Sequence, residues 1–317
     1  HMGKKIMIIT IAEVIGAILV VFSVMYFIFN QDLAFSLVIA SMSAATAPAA
    51  TMLVIRQFQS YGPVTKTILP VVALDDVFGI MAFGIALSVA KMLTSETSQS
   101  ILKMIGTPFY EIIGSLLLGF GVGVILVLVT KKIDPKDELQ IKTIFFIAIG
   151  IGLAKMFHLS PLLVNIAIGA TLSNLRSYAS RSFGALNDFV PVFYVLFFTL
   201  AGASLNISVL YQIGWMGFAY ILARALGKIF GAGLGARAAK ADPMVQKYLG
   251  FALLPQGGIS IGLSVIVMQQ LPMYSLTLTT IIMASVLFYE TLGPLFAKLS
   301  IQGAKEIGRA IPMQTDL

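Results

Sequence analysis

The sequence predicts an all-α polytopic membrane protein of about ten transmembrane helices, built from inverted repeats that each contain a broken crossing helix. Three observations lead there. Hydrophobic residues make up 58% of the chain and charged residues only 11%, more apolar surface than a water-soluble domain of 317 residues can bury. Apolar windows of spanning length recur along the whole chain, separated by short basic segments. Two of those windows are interrupted midway by proline, glycine and small polar residues, at matching places near the two ends of the sequence.

A hydrocarbon core of roughly 30 Å takes about 20 apolar residues as a helix. On that measure the spans fall at 6–28, 33–56, 66–90, 109–130, 141–157, 160–176, 188–204, 208–236, 245–270 and 274–298. Cytoplasmic segments carry the excess of Lys and Arg. With the amino end inside, the inner segments hold Lys4, Lys5, Arg56, Lys66, Lys131, Lys132, Lys136, Lys142, Arg176, Arg181, Arg237, Lys240, Lys247, Lys298, Lys305 and Arg309. The outer ones hold only Lys91, Lys103 and Lys155, which fits an even number of spans with both termini inside. The net charge of +7 therefore reads as topology; the basic residues lack the aromatic interleaving of a nucleic-acid surface. The chain has no cysteine, which excludes disulfides, thiolate metal sites and a cysteine nucleophile. His1-Met2 resembles an expression remnant and is set aside, which leaves His158, in the turn between spans five and six, unable to form a metal site alone. No cofactor is implied: the methionines, the aromatic stripes and Trp215 read as packing and interfacial anchors.

Few ionisable residues lie inside the spans: Glu13, Asp75, Asp76, Arg224, Lys228 and Glu290. A charge at bilayer depth is costly, so such residues face a polar cavity, find partners and mark a pathway. "VVALDDVFGI" at 71–80 sets two acids side by side, where a single one would serve to hold helices together. Adjacent helical residues point about 100° apart, so one acid can meet a fixed cation while the other faces a cavity. Lys228 is the natural fixed cation, because a lone lysine in span eight needs a partner or must lose its proton. Arg224, one turn earlier on the same face, cannot shed its charge and is expected to form a structural ion pair with Glu290 or Glu13.

"SAATAPAAT" at 43–51 places Pro48 midway along span two, and "LLPQGGISIG" at 253–262 places Pro255, Gly257 and Gly258 midway along span nine. At membrane depth such breaks survive only where they are buried in protein or line water. Spans one to three and eight to ten run in opposite senses with a broken middle helix in each, so the triplets can pack about a pseudo-two-fold axis with half-helix ends meeting at the midplane. Those ends carry opposed partial charges beside the acids of span three.

"ALDDVFGI", "TAPAAT", "RALGK", "LPQGG" and "YETLGP", in this order, resemble the cation:proton antiporter superfamily, in particular its second branch, which includes bacterial sodium/proton exchangers. The resemblance covers nearly the whole chain and implies that Asp76 is the principal carrier of ion and proton, with Asp75 paired to Lys228. A lysine at that place is typical of electrogenic members. The resemblance further implies a core ion-transport domain from 1–92 and 207–300, a linker helix at 107–131, dimer-domain helices at 139–205 and a cytoplasmic tail at 301–317. Family members usually carry about two or three further spans upstream, and this chain begins with what resembles their third. A homodimer of the full-length protein in the cell (inner) membrane is the expected assembly.

The expected function is secondary transport, not enzymatic catalysis: Na⁺ or Li⁺ is exchanged for H⁺ by alternating access. Hard cations prefer oxygen ligands, which Asp76, Asp75, the hydroxyls of Thr46 or Ser43 and the carbonyls freed at the breaks can supply. Protons compete for the same carboxylates, and the two acids titrate as a coupled set. A K⁺/H⁺ antiporter or potassium-efflux relative keeps the fold and changes the cargo. An intramembrane aspartyl protease also needs two membrane acids, but its pair must share one water from facing helices. A passive channel would show flux independent of any proton gradient.

Overall fold

The computed structural model describes residues 2–94, 101–130, 134–176, 179–186, 188, 195–196, 199 and 214–308. Every regular element among them is helical: α1 (Met2–Ser23, continued by a π-helical turn Val24–Ile28), α2 (Leu33–Met42), α3 (Pro48–Gln57), α4 (Pro63–Thr94), α5 (Ile101–Val129), α6 (Lys136–Met156), α7 (Pro161–Leu175), α8 (Gly214–Ala238), α9 (Pro243–Ala252), α10 (Gly258–Gln270) and α11 (Pro272–Gly303). Six of these, α1 with its extension, α4, α5, α6, α8 and α11, are long and apolar enough to cross a membrane. The two interrupted spans resolve into the pairs α2/α3 and α9/α10. The expected seventh span, 188–204, the start of the eighth at 208–213 and the tail beyond Gly308 lie almost wholly outside the described residues.

The chain divides into two compact units, His1–Ser95 with Leu205–Leu317, and Glu96–Ser204. In the first, α1 and α8 touch backbone to backbone. A Cβ added at Gly227 would stand 2.7 Å from the Ala17 Cα, and one at Gly231 would stand 2.9 Å from the Glu13 Cα. Glycines four residues apart let membrane helices approach this closely, and the contact fixes the register that sets Glu13 beside Lys228. α9 rests on α8 through Gly250, where a Cβ would lie 2.6 Å from the Ile229 Cα.

The breaks start from ordinary helix signals. Asp32 caps α2, its Oδ1 accepting from Phe35 N at 2.9 Å, and Asp242 caps α9 through Met244 N at 2.8 Å. Pro48 stands at the first position of α3, where its missing N–H costs nothing. Residues 43–47 and 253–257 are therefore non-helical connections inside the helix bundle, and their main-chain groups need other partners.

The amino end of α4 is held by Glu306, three residues beyond the end of α11. Glu306, 1% exposed, accepts from Val64 N at 2.7 Å, Thr65 N at 2.8 Å and Thr65 Oγ1 at 2.7 Å. A carboxylate here satisfies amide donors that the first turn leaves unpaired and meets the positive end of the helix. Glu306→Ala is expected to cost about 1–2 kcal/mol, as losing a helix N-cap does. Thermal unfolding in detergent should show a midpoint lower by a few degrees, and an unchanged midpoint would contradict the assignment.

In the second unit α5 and α7 pack closely at Gly123, where a Cβ would lie 2.7 Å from the Thr171 Cβ. Val122, Leu126, Phe146, Val164, Ile168 and Leu172 form its core. His158 turns the chain between α6 and α7 with φ 54°, and Arg176 ties α7 to α5 by donating to the Val127 carbonyl at 2.6 Å.

Candidate functional site

The two breaks cross within the first unit. Ala47 N donates to the Pro255 carbonyl at 2.9 Å, and Thr51 Oγ1 donates to the Ala252 carbonyl at 3.0 Å. Ending α2 and α9 here leaves carbonyls without helical partners and gathers the negative ends of two half-helices. α8 answers with two fully buried cations, Arg224 and Lys228.

Arg224 spreads its guanidinium over both breaks. Nε donates to the Ser43 carbonyl at 3.0 Å, Nη2 to Ala45 at 2.8 Å and Nη1 to Leu254 at 2.6 Å. Its Cζ lies 4.6 Å from the centre of the Tyr289 ring. The ion pair expected with Glu290 or Glu13 is absent among the described residues, and Arg224 binds main-chain oxygens instead. The physical reason is geometric: a planar fork matches three fixed carbonyls, and those carbonyls exist only because both helices stop here. Glu290, half-buried on α11, places its carboxylate in the space that a side chain at Gly257 would fill, at the positive amino end of α10. Gly257 itself caps α10 and Gly258 begins it.

Lys228 is ringed by oxygen. Its Nζ donates to the Ala44 carbonyl at 2.5 Å, Thr46 Oγ1 at 2.9 Å and Asp75 Oδ2 at 3.1 Å, and it forms an ion pair with Glu13. Thr46 in turn donates its hydroxyl to Asp75 Oδ2. Glu13 thus belongs to the lysine, not the arginine, because the glycine contacts of α1 and α8 set it beside Lys228, one helical turn beyond Arg224. Asp75, Glu13 and Lys228 are all fully buried, a desolvated group in which two carboxylates share one ammonium.

Asp76 takes a different place. It is partly exposed and makes no ion pair with Lys228, with the Thr46 backbone N–H beside it. Its Oδ1 is buried without a hydrogen-bond partner, as are Asp75 Oδ1 and Glu13 Oε2. Buried carboxylate oxygens with spare lone pairs can hold a hard cation or a proton. Ser43 meets the site differently from expectation: its hydroxyl donates to the Ala40 carbonyl at 2.6 Å, and its main-chain oxygen is taken by Arg224.

A second buried polar cluster lies beside the α9/α10 break. Gln256 accepts from Ser285 Oγ at 2.6 Å and donates to Ser260 Oγ at 2.9 Å and Tyr220 OH at 3.4 Å. Its only trace in the sequence is one amide in "LPQGG".

Residues 1–298 match the family described as sodium/hydrogen exchanger, transmembrane. The chain belongs to that family. Its fold is the antiporter fold: the chain superposes on the sodium proton antiporter MjNhaP1 from Methanocaldococcus jannaschii, in its structure at pH 8, with a TM-score of 0.78. The match covers 96% of this chain and 79% of that one at 16% sequence identity, which bears on the fold alone. No match is found among curated protein sequences. This sodium/hydrogen exchanger is accordingly a multi-pass membrane transporter, and the crossed breaks with their buried acids are its candidate ion site.

Proposed function

We propose that this exchanger moves Na⁺, or Li⁺, against protons by alternating access, with Asp76 as the carrier. The observation that carries this reading is the division of labour between neighbouring acids. Asp75 is fixed by Lys228 and Thr46, whereas Asp76 keeps an unpaired oxygen and faces partly accessible space. Asp76, the free oxygen of Asp75 and the Thr46 hydroxyl form an all-oxygen set suited to a small hard cation. Na⁺ and H⁺ compete for it, and only loaded states, with the carboxylate charge offset, cross easily between inward-open and outward-open forms. The first unit serves as the ion-transport core. The 96–204 unit supplies the linker helix and the surface for a homodimer of the full-length protein in the cell membrane, with both ends of this chain cytoplasmic.

The cargo is tested by dye-reported proton movement in proteoliposomes under Na⁺, Li⁺ and K⁺ gradients. Na⁺ or Li⁺ should drive exchange; a response to K⁺ alone would move the reading to K⁺/H⁺ antiport. The protease alternative fits poorly, since Asp75 and Asp76 neighbour each other on α4 and point apart.

Exchange is electrogenic in this reading, with more protons than cations moved per cycle. Lys228→Arg should then diminish or abolish the transient current in solid-supported-membrane recordings while leaving exchange detectable. An unchanged current would sink the role assigned to Lys228.

A further inference from the structure

A cavity of about 300 Å³ opens at the end of the first unit where α1 and α4 begin and α8 turns into α9. Ile6, Ile9, Pro63 and Val245 line its apolar wall, with Ile9 and Val245 buried, and Lys5 and Lys66 stand on it, both exposed. Neither lysine is in an ion pair among the described residues. Lys5 Nζ donates to the Lys240 carbonyl at 3.1 Å, and Lys66 lies 4.3 Å over the Tyr61 ring. The acids nearby are already engaged. Asp242, also on the wall, accepts from Met244 N, and Glu306 accepts from Val64 and Thr65. Lys4, Arg237 and Lys240 are exposed at the same end, so the mouth is positive while the interior is apolar.

We propose that this cavity binds an anionic phospholipid of the leaflet its lysines face. Such a ligand needs an apolar slot for the upper acyl chain and cationic groups at headgroup level, and the aliphatic stems of Lys5 and Lys66 join the two. A free phosphate would use the lysines but gain nothing from Ile6, Ile9 and Val245. A zwitterionic lipid would use the slot but bring an ammonium against a positive mouth. The site goes beyond the ion-exchange reading and stands without it, since only a membrane location is required. Its place also matters for transport: Ile9 is one helical turn from Glu13, and Thr67, on the cavity wall, is two turns from Asp75. A bound lipid braces the ends of both helices that carry the acids.

The test uses the full chain, purified and delipidated in detergent. Binding is followed by native mass spectrometry and thermal unfolding with phosphatidylglycerol, phosphatidylcholine of the same acyl chains, or inorganic phosphate. Phosphatidylglycerol should bind saturably and raise the unfolding midpoint, with phosphatidylcholine and phosphate leaving it unmoved. The double variant Lys5→Gln/Lys66→Gln should fold as the wild type does, both side chains being exposed. It should bind phosphatidylglycerol roughly 25-fold more weakly, about fivefold for each lysine. Lys247→Gln/Lys298→Gln removes equal charge outside the cavity and should keep the wild-type affinity. Equal binding of the two lipids, equal loss in both double variants, or a shift produced by phosphate alone would each overturn the proposal.

Discussion

Asp76→Asn is expected to abolish Na⁺-coupled proton movement in proteoliposomes, lowering the initial rate by at least about a hundredfold. Asparagine keeps the shape and one oxygen but can neither release a proton nor offset a cation's charge. Asp76 lies outside the Lys228 cluster, so the change leaves Asp75, Glu13, Thr46 and Lys228 with their partners. The fold should therefore survive, and the variant should keep the wild-type unfolding midpoint. A variant that still exchanges Na⁺ for protons would move the carrier elsewhere.

Arg224→Leu is expected to act on the fold. The guanidinium satisfies Ser43, Ala45 and Leu254 carbonyls inside a fully buried site. Each buried acceptor left without a donor costs about 1–3 kcal/mol, so the loss should reach roughly 3–5 kcal/mol or more. For a protein of this size each kcal/mol lowers the midpoint by about 2–4 °C, which scanning fluorimetry in detergent resolves readily. Arg224→Lys keeps the charge but cannot reach three carbonyls at once, and should fall between leucine and wild type. A leucine variant as stable as the wild type would mean that the crossing is held by other contacts.

The difference between these outcomes follows from what each residue touches, and it also marks what the sequence could convey. The apolar periodicity, the two interruptions and the acid pair are side-chain patterns, so the interrupted spans and the neighbourhood of Asp75, Asp76 and Lys228 could be read directly. Arg224 could not be placed that way. Its partners are main-chain carbonyls, which leave no mark in a sequence, whereas the sequence offers only the acids Glu290 and Glu13 as visible partners. The position of Glu13 depends on the α1–α8 register. That register is written in Gly16, Gly227, Gly231 and Gly235, three of them four residues apart, a spacing that could have signalled the contact. Ser43 shows a hydroxyl in the sequence, whereas its carbonyl is what meets the Arg224 guanidinium. Gln256, in turn, is one amide among apolar neighbours and acquires meaning only when the break brings Ser260, Ser285 and Tyr220 around it.

In this mechanism one carboxylate holds Na⁺ and H⁺ in alternation. Calorimetric titration of Na⁺ into the purified protein, at several pH values and in buffers of different ionisation enthalpy, tests it most directly. Protons compete for the same oxygens, so Na⁺ affinity should tighten as pH rises, each binding event should release protons to the buffer, and both effects should vanish in Asp76→Asn. Na⁺ binding that is independent of pH, or that persists undiminished in Asp76→Asn, would contradict it.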